Sequence, residues 1–444
     1  MIRSVAVAVL WFSASTVSFV FQNEAIAIPK PRIRTSCSRQ PSRLFKTVDT
    51  SIDIDSVSLR IGIAGAGAIA FGTASILSKN GHSEITLWSP SGKGTANLQS
   101  SGDDDPKTLV STGALDHELQ PNIVADAEEL VQKSDVLIVA LPANGHKQVF
   151  DALAPHLAST TCQTTKHIIV SSHASLGALY LSQLLQRTGS QCQHIITSWG
   201  TTVCTARKTS GQSVDIKTIR KSVDTCCVPE DKTAGSLELC NKLFPKTNFK
   251  TREGLLAISL SNLNPQNHLA ISLGNISRMD KGEEWYQFQN ITPRIGGFLQ
   301  GLDRERLEIA SVLGLDVKTV FEHLSLSFHV PIPESGCISE MCQEIHKKGN
   351  DVHGPNLADT RYVTEDVPFG LALIVALGKL VGKPAHLHES GLLIFDSMYG
   401  RDFTAENDLL QAINMDDLIL EDLKEAAHTG KLRKDSVGMV SSAS

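Results

Sequence analysis

The sequence predicts an α/β fold: a doubly wound parallel sheet of the Rossmann type in the first half of the chain, followed by an all-α domain. Three observations carry the prediction. Residues 59 to 80, LRIGIAGAGAIAFGTASILSKN, read as strand, tight turn and helix. From there to about residue 243, short apolar runs alternate with stretches of helical spacing, the pattern of repeated β-α-β units. Beyond residue 250 nearly every periodic stretch is helical.

The opening unit sets the frame. Leu59, Ile61, Ile63 and Ala64 make a short buried strand, and Gly65-Ala66-Gly67-Ala68-Ile69-Ala70 fits G-x-G-x-x-A, the dinucleotide fingerprint. Gly65 permits the sharp turn, Gly67 lets a pyrophosphate approach the backbone, and small Ala70 lets the helix pack closely on the strand. Ala68 and Ile69 open that helix, whose free N–H groups and positive dipole end suit phosphate. Gly81 closes the helix and Glu84 to Trp88 forms a second strand. In such folds an acid after the second strand holds the ribose 2'-hydroxyl of NAD. Here the chain continues with Ser89, Pro90, Ser91, Gly92 and Lys93, so Ser89 and Lys93 favour a 2'-phosphate and hence NADP over NAD. Ser89 also serves NAD, and Lys93 as a plain solvated loop residue is the alternative.

At 444 residues, 41% hydrophobic and 20% charged, the chain has the length and composition for two sizeable soluble domains. Residues 1–48 hold seven basic residues against the single acid Glu24, which leaves the remainder more acidic than the net charge of −6 for the whole. No basic patch is left for phosphates, which argues against a nucleic-acid partner. The same 48 residues look like a targeting leader. Arg3 precedes the apolar run Val5 to Phe21, Ala25 and Ala27 frame a cleavage site, and Ile28 to Thr47 is rich in Arg, Ser and Pro and free of acid. A signal peptide followed by a transit-like stretch favours a plastid or other organelle over secretion or a retained signal anchor, with no membrane association of the mature form. The nine cysteines show no C-x-x-C pair and the histidines are scattered, so mostly free thiols and no metal are expected.

Taken in order, residues 89–118 read as a polar loop, with Asp103-Asp104-Asp105 a solvated turn. Asn122 to Ala125 is a short strand and Asp126 caps a helix to Lys133. Asp135 to Leu141, DVLIVAL, is the near-continuous apolar run of a central parallel strand. It ends in Pro142-Ala143-Asn144-Gly145-His146, and a loop at that strand end lies beside the nicotinamide. Pro142 is therefore a cofactor contact and His146 a candidate substrate contact, against the alternative of a surface or capping histidine. A helix from Lys147 to Leu157, strand 166–172, helix 176–187 and strand 193–198 continue the alternation. Residues 203–208 and 213–223 are extended, forming a hairpin around Gly211, and 234–243 is helical. Pro245 and a polar run place the domain boundary within 244–251, giving a nucleotide-binding domain over 59–248. Helical spacing then covers 254–262, 266–279, 295–313, 366–380 and 409–427, a helical domain over 249–428. The last residues, 429–444, are a polar tail.

Four passages in the second half are polar where a plain bundle has no need of them: Asn262-Leu263-Asn264-Pro265-Gln266-Asn267-His268, Gly301-Leu302-Asp303-Arg304-Glu305-Arg306, Thr360-Arg361-Tyr362-Val363-Thr364-Glu365-Asp366-Val367-Pro368-Phe369-Gly370-Leu371, and Gly382-Lys383-Pro384-Ala385. Together with the fingerprint, and in this order, they resemble the octopine/nopaline (opine) dehydrogenase family from about Leu59 to Asp402. The resemblance implies a Rossmann domain joined to an all-α domain, an architecture like that of 6-phosphogluconate dehydrogenase, with substrate in the cleft between. It implies reductive condensation of an amino acid with a 2-oxo acid by a nicotinamide hydride, and the reverse oxidation. By matching motif His268 takes the catalytic histidine's place, Asp303 that of its carboxylate partner, and Arg361 suits a substrate carboxylate. The leader, and the passage Trp199 to Lys208, depart from the family pattern; the latter bears on substrate identity.

The chemistry agrees with those roles. Imine formation and reduction need a proton donor titrating near the working pH, which histidine supplies. A carboxylate on the imidazole fixes its tautomer, a bidentate arginine anchors a carboxylate, and Asn264 orients backbone or substrate groups. The structural alternatives are a helix-capping His268, an Asp303–Arg306 pair at i to i+3, and an Arg361 paired with Glu365 or Asp366. Two other functions stay open: a two-domain dehydrogenase reducing a C=O group, of the glycerol-3-phosphate dehydrogenase or ketopantoate reductase type, and a non-catalytic NADPH-binding sensor. The first of these usually carries a lysine on the opening helix of the second domain, and none falls in 254–279. A monomer or homodimer is expected.

Overall fold

In a computed structural model of the chain, residues 59–99, 107–159 and 164–432 are described. The leader expected over residues 1–48, the aspartate turn at 103–105 and the tail beyond residue 432 lie outside them. Among the described residues the strands β1 (Ile61–Ala64), β2 (Ile85–Trp88), β3 (Leu109–Gly113), β4 (His117–Leu119), β5 (Asn122–Val124), β6 (Val136–Val139), β7 (His167–Val170), β8 (Ile195–Trp199), β9 (Cys204–Lys208), β10 (Ser213–Ile219), β11 (Ser222–Val228) and β12 (Asn248–Thr251) form two sheets. The larger runs β12-β11-β8-β7-β6-β1-β2-β5. It is parallel from β5 to β8, with β11 antiparallel to β8. The chain moves outward from β1 to β2 and β5, then resumes at β6 on the other flank of β1. The switch point therefore lies between β1 and β6, where ligands bind outside the strand ends in open α/β sheets.

Helices α1 (Ala68–Lys79), α2 (Ala127–Gln132), α3 (His146–Ala158), α4 (Gly177–Arg187) and α5 (Thr233–Leu243) cover this sheet. The smaller sheet, β4-β3-β10-β9, lies on the outer side of α1. That explains why α1 is apolar nearly all round: every residue from Ala70 to Leu77 is buried, between one sheet and the other. Contact is close enough that a Cβ on Gly72 would meet Cys204 Sγ at 2.9 Å.

The second half is helical: α6 (Gly254–Ser261), α7 (Asn264–Asp280), α8 (Pro293–Leu313), α9 (Val320–Phe328), α10 (Ile338–Lys347), α11 (Arg361–Thr364), α12 (Ala372–Leu380), α13 (His386–Tyr399), α14 (Asp408–Ala412) and α15 (Leu420–Thr429). One core lies between the sheet and α1, a second within the helices, and a third joins Val139 and Val170 of the sheet to Phe369, Leu373 and Leu409 of the helical half. The Rossmann sheet followed by helices is the fold read from the sequence. Local expectations need correction. The polar loop 89–118 contains β3 and β4, and 244–251 contains β12. The single helix expected over 409–427 is broken by Asn414, which takes a left-handed conformation at φ 51°. Among the described residues no helix is long and apolar enough to cross a membrane, and no group of His, Cys, Asp and Glu is arranged to hold a metal.

Candidate active site

The dinucleotide turn has the geometry its glycines permit. Gly65 stands at φ 135°, and a Cβ there would fall 2.3 Å from the carbonyl oxygen of Ala140 at the end of β6, so the two strand ends meet at the switch point. Gly67 is the N-cap of α1, with open space where its Cβ would be, no side chain on the helix's free N–H groups and no acid in the first turn. An uncapped helix start facing open space fits a pyrophosphate. Ala68 and Ile69 form the first turn, and buried Ala70 sits 3.5 Å from the position of a Gly65 Cβ.

After β2, Ser89 is buried and its Oγ accepts from the Gly94 N–H at 3.3 Å, so it braces its own loop. Lys93 is exposed on the same loop. A second lysine was missed. Lys208, at the end of β9, donates to the carbonyls of Ala66 and Gly94 at 3.2 Å each, and lies 4.3 Å over the Phe71 ring. Burial pulls its pKa down, and its hydrogen bonds go to these carbonyls, not to a carboxylate. Its hairpin is anchored by Gln212, whose Nε2 donates to the Asn97 carbonyl at 2.6 Å. Nothing in the sequence tied a lysine 142 residues beyond Ala66 to the fingerprint.

A cavity of about 320 Å³ lies between the halves, lined from the sheet side by Ala143, Ser172 and Ala174, and from the helical side by Asn262, Asn264, His268, Arg361, Glu365 and Asp366 among others. His268 is the fifth residue of α7, at the start of its second turn. Its Nδ1–H donates to Asp366 Oδ2 at 2.7 Å, and its ring stacks on Tyr362 with centroids 3.5 Å apart and planes 11° from parallel. The hydrogen bond to a carboxylate makes Nδ1 the protonated nitrogen and leaves Nε2 for the cavity. Tyr362 stays a neutral phenol, since burial and then the charge of Asp366 push its pKa up to about 12. Its hydroxyl donates to Gln287 Oε1 at 2.9 Å.

Asp366 reaches His268 because of the backbone around it. Val367–Leu371 makes a π-turn, with Pro368 removing an N–H at its start. A Cβ on Gly370 would lie 2.3 Å from Pro265 Cγ, so only glycine lets this turn close on the start of α7. Glu365, one residue earlier, faces the other half: its Oε1 accepts from the Ala143 N–H at 3.0 Å and its Oε2 pairs with Arg361 Nε. Arg361 remains 69% exposed at the cavity.

Two expected site residues are elsewhere. Asp303 is not the partner of His268. It is buried, its Oδ1 accepts from Arg306 at 2.7 Å and Gln266 at 2.8 Å, and its Oδ2 accepts from the Val320 N–H at 2.9 Å. Both oxygens are committed within the core, Oδ1 to a fully buried Arg306, the i to i+3 alternative taken inside, and Oδ2 to the Val320 N–H. His146 does not line the cavity. It is fully buried at the start of α3, donates from Nε2 to the Leu141 carbonyl at 3.0 Å, and burial pushes its pKa down to about 4. Pro142 stands exposed at the end of β6, beside cavity-lining Ala143. Of the expected catalytic and substrate residues, the structure brings together His268, Arg361 and Asn264. It adds Asp366, Tyr362 and Glu365, which the same Arg-Tyr-x-x-Glu-Asp run displayed. It also adds the loop after β7, where Ser172, Ser175 and Leu176 all take positive φ, strain that clusters at functional sites.

An uncapped dinucleotide turn at a sheet switch point, with a carboxylate-clamped histidine in a cleft that the loops after β6 and β7 line from the sheet side, defines a two-domain nicotinamide-dependent oxidoreductase. Comparison with known proteins narrows the class. Residues 251–399 match the model of the NAD/NADP octopine/nopaline dehydrogenase alpha-helical domain, and residues 60–172 that of NADP oxidoreductase, coenzyme F420-dependent. Over its helical half the chain is thus similar to the octopine/nopaline dehydrogenase family. An opine dehydrogenase of Arthrobacter sp. (strain 1C) is 26% identical over 309 residues, 68% of this chain and 82% of that protein. Among solved structures, octopine dehydrogenase with NADH and L-arginine superposes with a TM-score of 0.69 at 17% identity, over 84% of this chain and 99% of that one. Yersinopine dehydrogenase with NADP+ gives 0.62 at 16% identity, over 81% and 97%.

Proposed function

We infer that this oxidoreductase is an NAD(P)H-dependent opine-type dehydrogenase. It condenses the amino group of an amino acid with the carbonyl of a 2-oxo acid, with loss of water, reduces the imine to a secondary amine, and runs the reverse oxidation. The observation that carries this reading is His268, held by Asp366 and Tyr362 in the cleft opposite the loops that follow β6 and β7. The nicotinamide, when bound, supplies the hydride. His268 Nε2 exchanges the protons: one to the departing carbinolamine hydroxyl, one with the amine nitrogen. Asp366 keeps Nδ1 protonated and stabilises the imidazolium. Arg361, exposed at the cavity and steadied by Glu365, anchors a substrate carboxylate, and Asn264 contributes a polar group at the rim.

NADP is the proposed preference. Ser89 braces the loop after β2, Lys93 lies on it, and Lys208 holds its ammonium between that loop and the fingerprint turn, without an acidic partner among the described residues, where a 2'-phosphate would meet it. Residues 1–48 are proposed to direct the chain to a plastid or other organelle, on their basic, acid-poor composition.

The test is a matrix of amino acids crossed with 2-oxo acids, following loss of reduced cofactor. Oxidation requiring both an amine and an oxo acid is expected; oxidation with a carbonyl compound alone would replace the reading by simple C=O reduction. Equilibrium binding of NADPH and NADH to wild type and Lys208→Ala tests the cofactor. The variant is expected to weaken NADPH at least tenfold and leave NADH within about threefold, and equal effects on both would remove Lys208 from 2'-phosphate recognition.

A further inference from the structure

Behind His268 the cleft opens into a second chamber of about 170 Å³. Asn264, His268 and Tyr362 line both chambers, so the two adjoin at the imidazole. Their walls differ in kind. The first contains Arg361, Glu365 and Asp366. The second is walled by Ile271, Phe288, Ile291, Leu299, Leu324 and Phe328, with the uncharged amides of Asn267 and Gln287 and the imidazole of His323 at its margin, and among the described residues its lining includes no Asp, Glu, Lys or Arg. Four of these, Ile271, Ile291, Leu299 and Leu324, are at most 4% exposed, and Phe328 packs edge-on against Phe288 with centroids 4.9 Å apart. The side-chain oxygen of Gln287 accepts from the Tyr362 hydroxyl at 2.9 Å.

We propose that this chamber receives the side chain of the amino-acid substrate and selects an apolar one, branched aliphatic or aromatic. The inference rests on the reaction proposed above. With the reacting nitrogen at His268 and the carboxylates among the charged groups of the first chamber, the side chain on the α-carbon is left the apolar space behind the imidazole. Asn267, at its wall, has a buried side-chain oxygen without a hydrogen-bond partner, an acceptor for the substrate's amino N–H. A guanidinium or ammonium in the chamber would be desolvated with no carboxylate to meet it, and a side-chain carboxylate would find no cation. Size agrees: apolar cavities of roughly 150 Å³ take up benzene.

The full-length protein, with NADPH and NADH and with pyruvate or 2-oxoglutarate, is assayed against L-leucine, L-phenylalanine, L-alanine, L-arginine, L-lysine and L-glutamate. Leucine or phenylalanine is expected to exceed each charged amino acid in kcat/KM on the order of 100-fold, and alanine by about tenfold or more. Arginine, lysine or glutamate equal to the best apolar substrate would overturn the assignment of the chamber while upholding opine chemistry. No amine-dependent oxidation with any member of the panel would overturn the reaction itself, and the chamber's role with it. Phe328→Ala, a half-buried position, is expected to raise KM for leucine and phenylalanine about tenfold with kcat and NADPH affinity little changed. An unaltered KM would overturn the assignment even if the wild-type preference is apolar.

Discussion

At the scale of single residues, the site is a histidine whose two degrees of freedom are removed. Asp366 fixes the tautomer and Tyr362 the ring plane, so Nε2 is presented to the cavity without further ordering on substrate binding. Asp366→Asn separates these contributions, because the amide keeps the shape of the carboxylate but no longer requires Nδ1 to carry the proton. Its kcat is expected to fall on the order of 10³-fold or more, with cofactor affinity unchanged by fluorescence titration. A fall of less than tenfold would show that the stack on Tyr362 suffices. Asp303 is the instructive contrast. It matches the family motif as well as His268 does, yet its oxygens neutralise Arg306 in the core, which also donates to the carbonyls of Leu260 and Lys318 at 2.6 Å. A charge matched and hydrogen-bonded so completely serves the fold, and removing one partner strands the other. Spacing cannot separate the two carboxylates, since one sequence carries both and only the approach of the π-turn to α7 decides which meets the imidazole.

At the scale of elements, what was legible is what a short window contains. The β1 strand, its glycine turn and α1 are consecutive, and DVLIVAL announces a strand buried on both faces; the structure gives β1, α1 and β6 there. Strand β3 was hidden because it is short and its second partner, β10, lies about a hundred residues further along the chain, and β4 because it is only three residues long and pairs with β3 at the sheet edge. Helix α10 is a different miss: buried Ile338, Met341, Cys342 and Ile345 carry the helical period in plain view. The loop after β6 was legible as a cleft loop and the loop after β7 was not, and neither was the burial of their histidines. His146 and His173 are both enclosed; burial depresses His146 to about 4 and, with the neighbouring charge of His146, His173 to about 3, against an ordinary value of 6.5. Below about pH 6.5 the unfolded chain takes up protons that the folded chain refuses, so stability is intact above that pH and is lost as pH falls toward 4. Each histidine is expected to cost about 2 kcal/mol between pH 7 and pH 5, read from urea unfolding at both values. His173→Asn should flatten that dependence, and an unchanged slope would assign the acid lability to other groups.

At the scale of the whole molecule, the reaction depends on two halves kept in register: the sheet that carries the dinucleotide turn and the helices that carry His268. The contacts that hold them lie at the cleft itself. Asn407 donates to Ser175 Oγ at 2.9 Å and to the Pro368 carbonyl at 2.7 Å, the Ser175 hydroxyl donates to the Phe369 carbonyl, and Glu365 accepts from the Ala143 N–H. The strained loop at Ser172 to Leu176 is thus tied to the π-turn that positions Asp366, and Phe369 and Leu373 extend the tie into a shared core. Glu365 combines two functions, a bridge to Ala143 and a partner for Arg361, and two substitutions distinguish them. Glu365→Gln keeps a side-chain oxygen for Ala143 and loses only the charge facing an arginine that is 69% exposed, where an ion pair contributes little. Glu365→Ala loses both and leaves the Ala143 N–H unpaired at the cleft floor. The glutamine variant is expected to stay within about threefold of wild-type kcat/KM, and the alanine variant to lose on the order of 10- to 100-fold, since a shift of about 1 Å between reacting groups costs that much. Cofactor affinity should be unchanged in both, because the dinucleotide turn lies wholly within the sheet half. Equal losses in the two variants would mean that the charge on Arg361, and not the bridge between the halves, is what the cleft requires of Glu365.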